Sequence, residues 1–135
     1  MIGKRYRIAT GPQAIGGWSY GAVGALWALL ARPDLFSVGL LESPSLGIGN
    51  GQLLRDTQNL VVGPERVFIG AGDSELPSEE GNRGYLKAIA VLEEHLKGSL
   101  QKQPQVTTHI TPGAQHSIVA SAQRLDQALQ FLFGK

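Results

Sequence analysis

Residues 16–21 read Gly-Gly-Trp-Ser-Tyr-Gly and sit between two apolar segments, a short one over 13–17 and a long one over 22–31 that Arg32-Pro33 stops. The first is long enough for a strand; the second, apolar on nearly every side, predicts a buried helix with Trp27 in the core. The pentapeptide from Gly17 to Gly21 is G-x-S-x-G. In a sharp strand-to-helix turn, side chains two positions either side of the central serine would crowd helix against strand, so glycine belongs there. Such a turn lifts the Ser19 hydroxyl to the top of a sheet. It also aims the next amide, that of Tyr20, at a developing oxyanion beside a helix N-terminus.

The rest of the chain alternates in the same sense. Segments 37–42, 66–71 and 105–111 are short, rich in apolar or β-branched residues and bounded by Pro, Gly and Asp, and read as strands. Over 83–97, Leu86, Ile89, Leu92 and Leu96 recur at helical spacing, with Glu93 and Lys97 as an i,i+4 pair. After Pro112-Gly113 one further helix is expected, with Ala122, Leu125, Leu129 and Leu132 on one face and Gly134 at its end. Segment 45–59 is a weakly patterned connection. The order strand, helix, strand, loop, strand, helix, strand, helix predicts an α/β fold: a mostly parallel sheet of about four strands with helices on both faces, in a single domain over 1–135.

Composition narrows the function classes. The net charge is +1 and the basic residues are scattered, so no footprint for nucleic acid or an anionic membrane surface is present. No cysteine is present, which removes thiol nucleophiles and disulfides, and His95, His109 and His116 lack metal-ligand spacing. Neither a secretory leader nor a membrane-length apolar stretch is visible, so a soluble, cytoplasmic protein is expected.

A serine needs a base to act as nucleophile. His116 follows the last predicted strand, at the edge where a parallel sheet presents its sites, and is the candidate. His109 lies within the strand pattern as a sheet-face residue, and His95 is expected to be solvated on its helix. The acid that orients the base should hang from the loop after 66–71, where Asp73 and Glu75 compete; reach alone does not choose between them. Trp18 and Tyr20 flank the serine, either as aromatic surface for a substrate, with Trp18 the candidate contact, or packed beneath it.

Taken together, the elbow with its helix (GGWSYGAVGALWALLARPDLF), LLESPSLG, VFIGAGDSE and GAQHS resemble the α/β-hydrolase fold. Within that fold they are similar to the esterase family of ferric-siderophore esterases, feruloyl esterases and S-formylglutathione hydrolases. The resemblance implies a Ser19–His116–acid triad acting on a small-molecule carboxylic ester through an acyl-enzyme, with no metal or cofactor. The family's G-x-x-[DE] turn falls on Gly72-Asp73-Ser74-Glu75 and favours Glu75 as the acid, with Asp73 the alternative. Asn82 and Arg83 match residues near the substrate entrance. The chain departs from the family by beginning almost at the elbow strand, without the earlier strands and the loop that donates a second oxyanion N–H. It is thus expected to be a partial or minimal version of the fold and a weak enzyme, and a non-catalytic assembly module is the competing reading. A nucleotide-binding domain fits less well, for lack of G-x-G-x-x-G and a Walker lysine. The uncovered strand at 13–17 predicts a homo-oligomer, most simply a dimer, unless segment 2–8 folds over that edge.

Overall fold

Each apolar run forms a strand that feeds a helix. Strand β1 (Gln13–Trp18) enters helix α1 (Tyr20–Ala31), and β2 (Phe36–Glu42) leads through a tight turn at Ile48–Gly51 into the short α2 (Gln52–Asp56). Strand β3 (Arg66–Gly72) is followed by α3 (Glu79–Lys97), and β4 (Gln105–Thr111) by α4 (Ile118–Gln123) and α5 (Leu125–Phe133). The structure, a computed structural model, describes residues 6, 10, 11 and 13–134. Apart from Tyr6, segment 2–8 lies outside the described residues.

The four strands are parallel and lie in the order β1-β2-β3-β4. Because successive crossovers step the same way along the sheet, connections of one hand put α1 and α3 on the same face. Their contacts agree: Ala22, Ala25, Leu26 and Leu29 of α1 and Ile89, Leu92 and Leu96 of α3 share a core with Leu41, Val67, Ile69 and Ala71. The alternate strand positions Val38 and Phe68 point the other way and pack on Ala128 and Leu132 of α5. Helices therefore cover both faces, as the pattern predicts.

Two expectations need correction. Helix α1 buries one stripe, at spacings of three and four, and Trp27 falls outside it with 62% of its surface exposed; it is not a core residue. The helix expected after Pro112-Gly113 is two helices joined at Arg124, whose side chain is buried.

That arginine ties the carboxyl end of the sheet together. Its Nε and Nη2 donate to Glu42 Oε2 at 3.0 and 2.7 Å, and its Nη1 donates to Thr111 Oγ1 at 3.1 Å, so one guanidinium joins β2, β4 and the α4–α5 junction. The Glu42 carboxylate lies across β3 at Gly70, where any Cβ would overlap it. Burial pushes the Glu42 carboxyl above its ordinary range while the Arg124 pair opposes this, and Glu42 Oε1 has no partner.

Strand β1 forms one margin of the sheet and pairs only with β2 among the described strands. Ile118 and Leu125 line a groove with Gly17 and Trp18 of β1, and with Leu129 and Phe133 they leave exposed apolar side chains on α4 and α5. No helix among the described residues is long and apolar enough to cross a membrane.

Arg124→Met should leave a buried carboxylate without its counter-charge and lower stability in urea unfolding by about 3–5 kcal/mol. Adding Glu42→Leu should recover most of that loss. An unchanged unfolding midpoint for the single variant would show that the pair does not hold this end of the sheet.

Candidate active site

The site begins with the steric demand at Gly17. A Cβ there would overlap the carbonyl of Gly21 and the amide of Ala22, so strand and helix approach this closely only because position 17 has no side chain. The demand is one-sided: a Cβ at Gly21 would meet nothing within 4 Å. Ser19, between them, takes φ 57° and ψ −118°, a strained conformation for a residue with a side chain, and its N–H donates to Glu42 O at 2.9 Å. Strain of this kind throws the hydroxyl clear of the turn. Tyr20 is the first residue of α1, and its N–H belongs to the helix end, where amides lack intrahelical acceptors.

Three loops at the carboxyl ends of the strands converge on that hydroxyl. His116, after β4, has Nε2 at 2.9 Å from Ser19 Oγ and Nδ1 at 2.7 Å from Glu75 Oε2, in the loop after β3. A carboxylate only accepts, so Nδ1 carries the ring proton, Nε2 offers its lone pair, and the Ser19 hydroxyl donates to it. Glu75 has a side chain only 2% exposed, yet it is fully partnered: Oε1 accepts from Gly72 N at 2.6 Å and from Ser43 Oγ at 2.7 Å. The imidazole, 33% exposed, is stacked on Trp18 with ring centroids 4.8 Å apart.

Asp73, the other acid, does different work. Its Oδ1 accepts from Gly113 N at 2.7 Å and from Ser74 Oγ at 2.9 Å, fixing the turn that leads to His116 without touching the ring.

A cleft of about 280 Å³ opens over the site, lined by Tyr20, Ser45, Leu46, Ile48, Leu76, Tyr85 and His116 among others. Its walls are mostly apolar, and no Lys or Arg lines it among the described residues. The Tyr85 hydroxyl is buried without a partner; burial first, then the neighbouring Glu75, raises its pKa, which keeps the phenol neutral.

The remaining candidates lie elsewhere. Trp18 backs the imidazole and lines a separate apolar groove with Leu40, Glu42 and Leu125, and is not part of the cleft wall. Asn82 closes a ring with Leu76, accepting from its N–H at 2.8 Å and donating to its carbonyl at 3.1 Å, so its amide is spent on shaping the acid loop. Arg83 is exposed beside Glu79. Neither lines the cleft. His95 is not simply solvated: its Nδ1 lies 2.9 Å from the hydroxyl of buried Thr57. His109 sits on β4, paired with Gly70.

Sequence reasoning missed the work of the Ser43-Pro44-Ser45 loop, quoted above only as part of a resemblance. Ser43, at φ 46° and 1% exposed, steadies Glu75; the Ser45 hydroxyl lies 3.2 Å from Ser19 Oγ. Their one sequence signal was position, directly after a strand at the edge where the site forms.

No family model and no curated protein matches the chain. Solved structures do. The siderophore hydrolase EstB from Aspergillus nidulans is similar over 97% of this chain and 52% of its own, at 20% identity and a TM-score of 0.65. The BES protein from Bacillus cereus matches over 97% and 48%, at 21% identity and 0.73. An IroE-like serine hydrolase from Shewanella oneidensis matches over 97% and 43%, at 20% identity and 0.69. The chain spans about half the length of these structures. What it shares with them is the fold: the α/β architecture of hydrolases of this kind, as the sequence resemblance implies.

Proposed function

We propose that the chain is a serine hydrolase of small carboxylic esters. The observation that carries this reading is the continuous hydrogen-bonded line from buried Glu75 through His116 to Ser19 Oγ, at 2.7 and 2.9 Å. In the reaction Ser19 Oγ attacks the ester carbonyl as His116 Nε2 takes its proton. Glu75 holds the tautomer and stabilises the imidazolium. Collapse of the tetrahedral intermediate expels the alcohol, which receives that proton, and leaves an acyl-enzyme that water hydrolyses with His116 again as base. Tyr20 N–H and the N-terminus of α1 support the oxyanion. The mostly apolar lining of the cleft suits an uncharged acyl group.

The open margin of β1 and the exposed apolar side chains of α4 and α5 support a further part of this reading, self-association as a two-fold dimer over that face. Light scattering across a dilution series should show a dimer dissociating on dilution; a monomer at every concentration contradicts it.

A fluorophosphonate probe should label the wild-type chain, and Ser19→Ala should abolish labelling. A folded wild-type chain that stays unlabelled would be the non-catalytic module instead.

Glu75→Gln should slow turnover of a short p-nitrophenyl ester by up to about 10⁴, since the base loses the acceptor that fixes its tautomer. Asp73→Asn keeps an acceptor oxygen for Gly113 and should cost less than about tenfold, the scale of one neutral hydrogen bond. The reverse order of effects would make Asp73 the acid.

A further inference from the structure

The hydroxyls of Ser19 and Ser45 lie 3.2 Å apart, and only one direction of donation is open. The Ser19 proton is committed to His116 Nε2, because Glu75 holds the ring proton on Nδ1. Ser45 is therefore the donor, and Ser19 Oγ accepts through a lone pair. The placement is built in: Ser45 N–H lies 3.4 Å from Ser19 O, and two residues earlier Ser43 adopts a positive φ while binding Glu75. A surface turn serine has no need of such support. Ser45 Oγ has no hydrogen-bond partner besides Ser19 among the described residues, and it lines the cleft together with His116.

Acylation changes what this hydroxyl can bind. Once Ser19 Oγ becomes the bridging oxygen of an ester, its lone pairs are delocalised into the carbonyl and it is a much poorer acceptor. The Ser45 hydroxyl is then left in the cleft beside the imidazole, at the moment when a water must be held between the base and the acyl carbon. We propose that Ser45 positions the water that hydrolyses the acyl-enzyme. This rests on the hydrolase reading above. The water donates one hydrogen to His116 Nε2 and shares a hydrogen bond with Ser45 Oγ, and its oxygen attacks the carbonyl carbon. His116 takes that proton and returns it to Ser19 Oγ as the carbon–Oγ bond breaks, releasing the carboxylic acid. Ser45 gains and loses no proton in the cycle.

The test separates the two half-reactions, using p-nitrophenyl acetate as substrate and the fluorophosphonate as a probe of acylation alone. Ser45→Ala should label at a rate within about threefold of wild type, because Ser19, His116 and Glu75 are untouched. Its kcat should fall about tenfold or more, with KM falling in parallel and kcat/KM little changed, because kcat/KM reports acylation. A rapid burst of p-nitrophenolate approaching one equivalent per site should precede the slow steady state. Ser45→Thr, which keeps the hydroxyl, should restore kcat and remove the burst. If Ser45→Ala lowers labelling, kcat and kcat/KM together without a burst, Ser45 serves Ser19 in acylation and the proposal is overturned; an unchanged kcat overturns it as well. Both results leave the hydrolase reading standing. A wild-type chain that is not labelled removes the hydrolase reading and the role of Ser45 with it.

Discussion

The absent side chain at Gly17 is the contact on which the site depends. Without it β1 runs directly under the first turn of α1, and Ser19 is held where its backbone is strained and its hydroxyl stands clear. The register of the sheet then does the rest. In a parallel sheet every strand ends at the same edge, so residues that follow β2, β3 and β4 arrive around the same hydroxyl although up to 97 positions separate them in sequence. The strain at Ser19 is sustained because the Ser19 amide donates to Glu42 and its carbonyl accepts from the first turn of α1.

Two carboxylates, Glu42 and Glu75, are buried at that edge, and the structure handles them differently. Glu42 meets a full counter-charge in Arg124, in a pair that links three elements and serves the scaffold. Glu75 meets no arginine or lysine among the described residues; its oxygens accept from a backbone amide, the Ser43 hydroxyl and the His116 ring. The separation of roles follows from which donors each loop supplies, since the residue type is the same.

Local constraints were legible in the sequence, and distant ones were not. The tight strand-to-helix turn could be read because the demand at Gly17 is local, although the sequence rule wrongly extended it to Gly21, and strands and helices because their periods are short. The choice between Asp73 and Glu75 stayed open on residue chemistry, because Glu75 meets Ser43 and His116 across 32 and 41 positions of sequence. The break at Arg124 depends on Glu42, 82 positions distant, and the environment of His95 on Thr57, 38 positions distant. Trp27 was misplaced for another reason. A helix apolar on all sides does not reveal which stripe faces the sheet, and the close fit of Leu29 over Gly39 settles the rotation. Asn82 drew attention through its match to family residues near the substrate entrance, and its amide is satisfied by Leu76.

The topology also gives the site a handedness. Ser45, Glu75 and His116 come from loops after β2, β3 and β4, all on one side of the elbow; β1 is the last strand on the other side, and no described loop approaches Ser19 from beyond it. Ser45, Glu75 and His116 thus gather at Ser19 from one flank, with Tyr20 N–H at the α1 terminus beside them. Under the hydrolase reading proposed above, an added N–H donor at the oxyanion would be worth about 10²–10³ in turnover, the loss seen when one is removed from a protease. Among the described residues nothing pairs with the outer side of β1, so a strand or chain covering that margin would lie on the flank of Ser19 opposite Glu75 and His116.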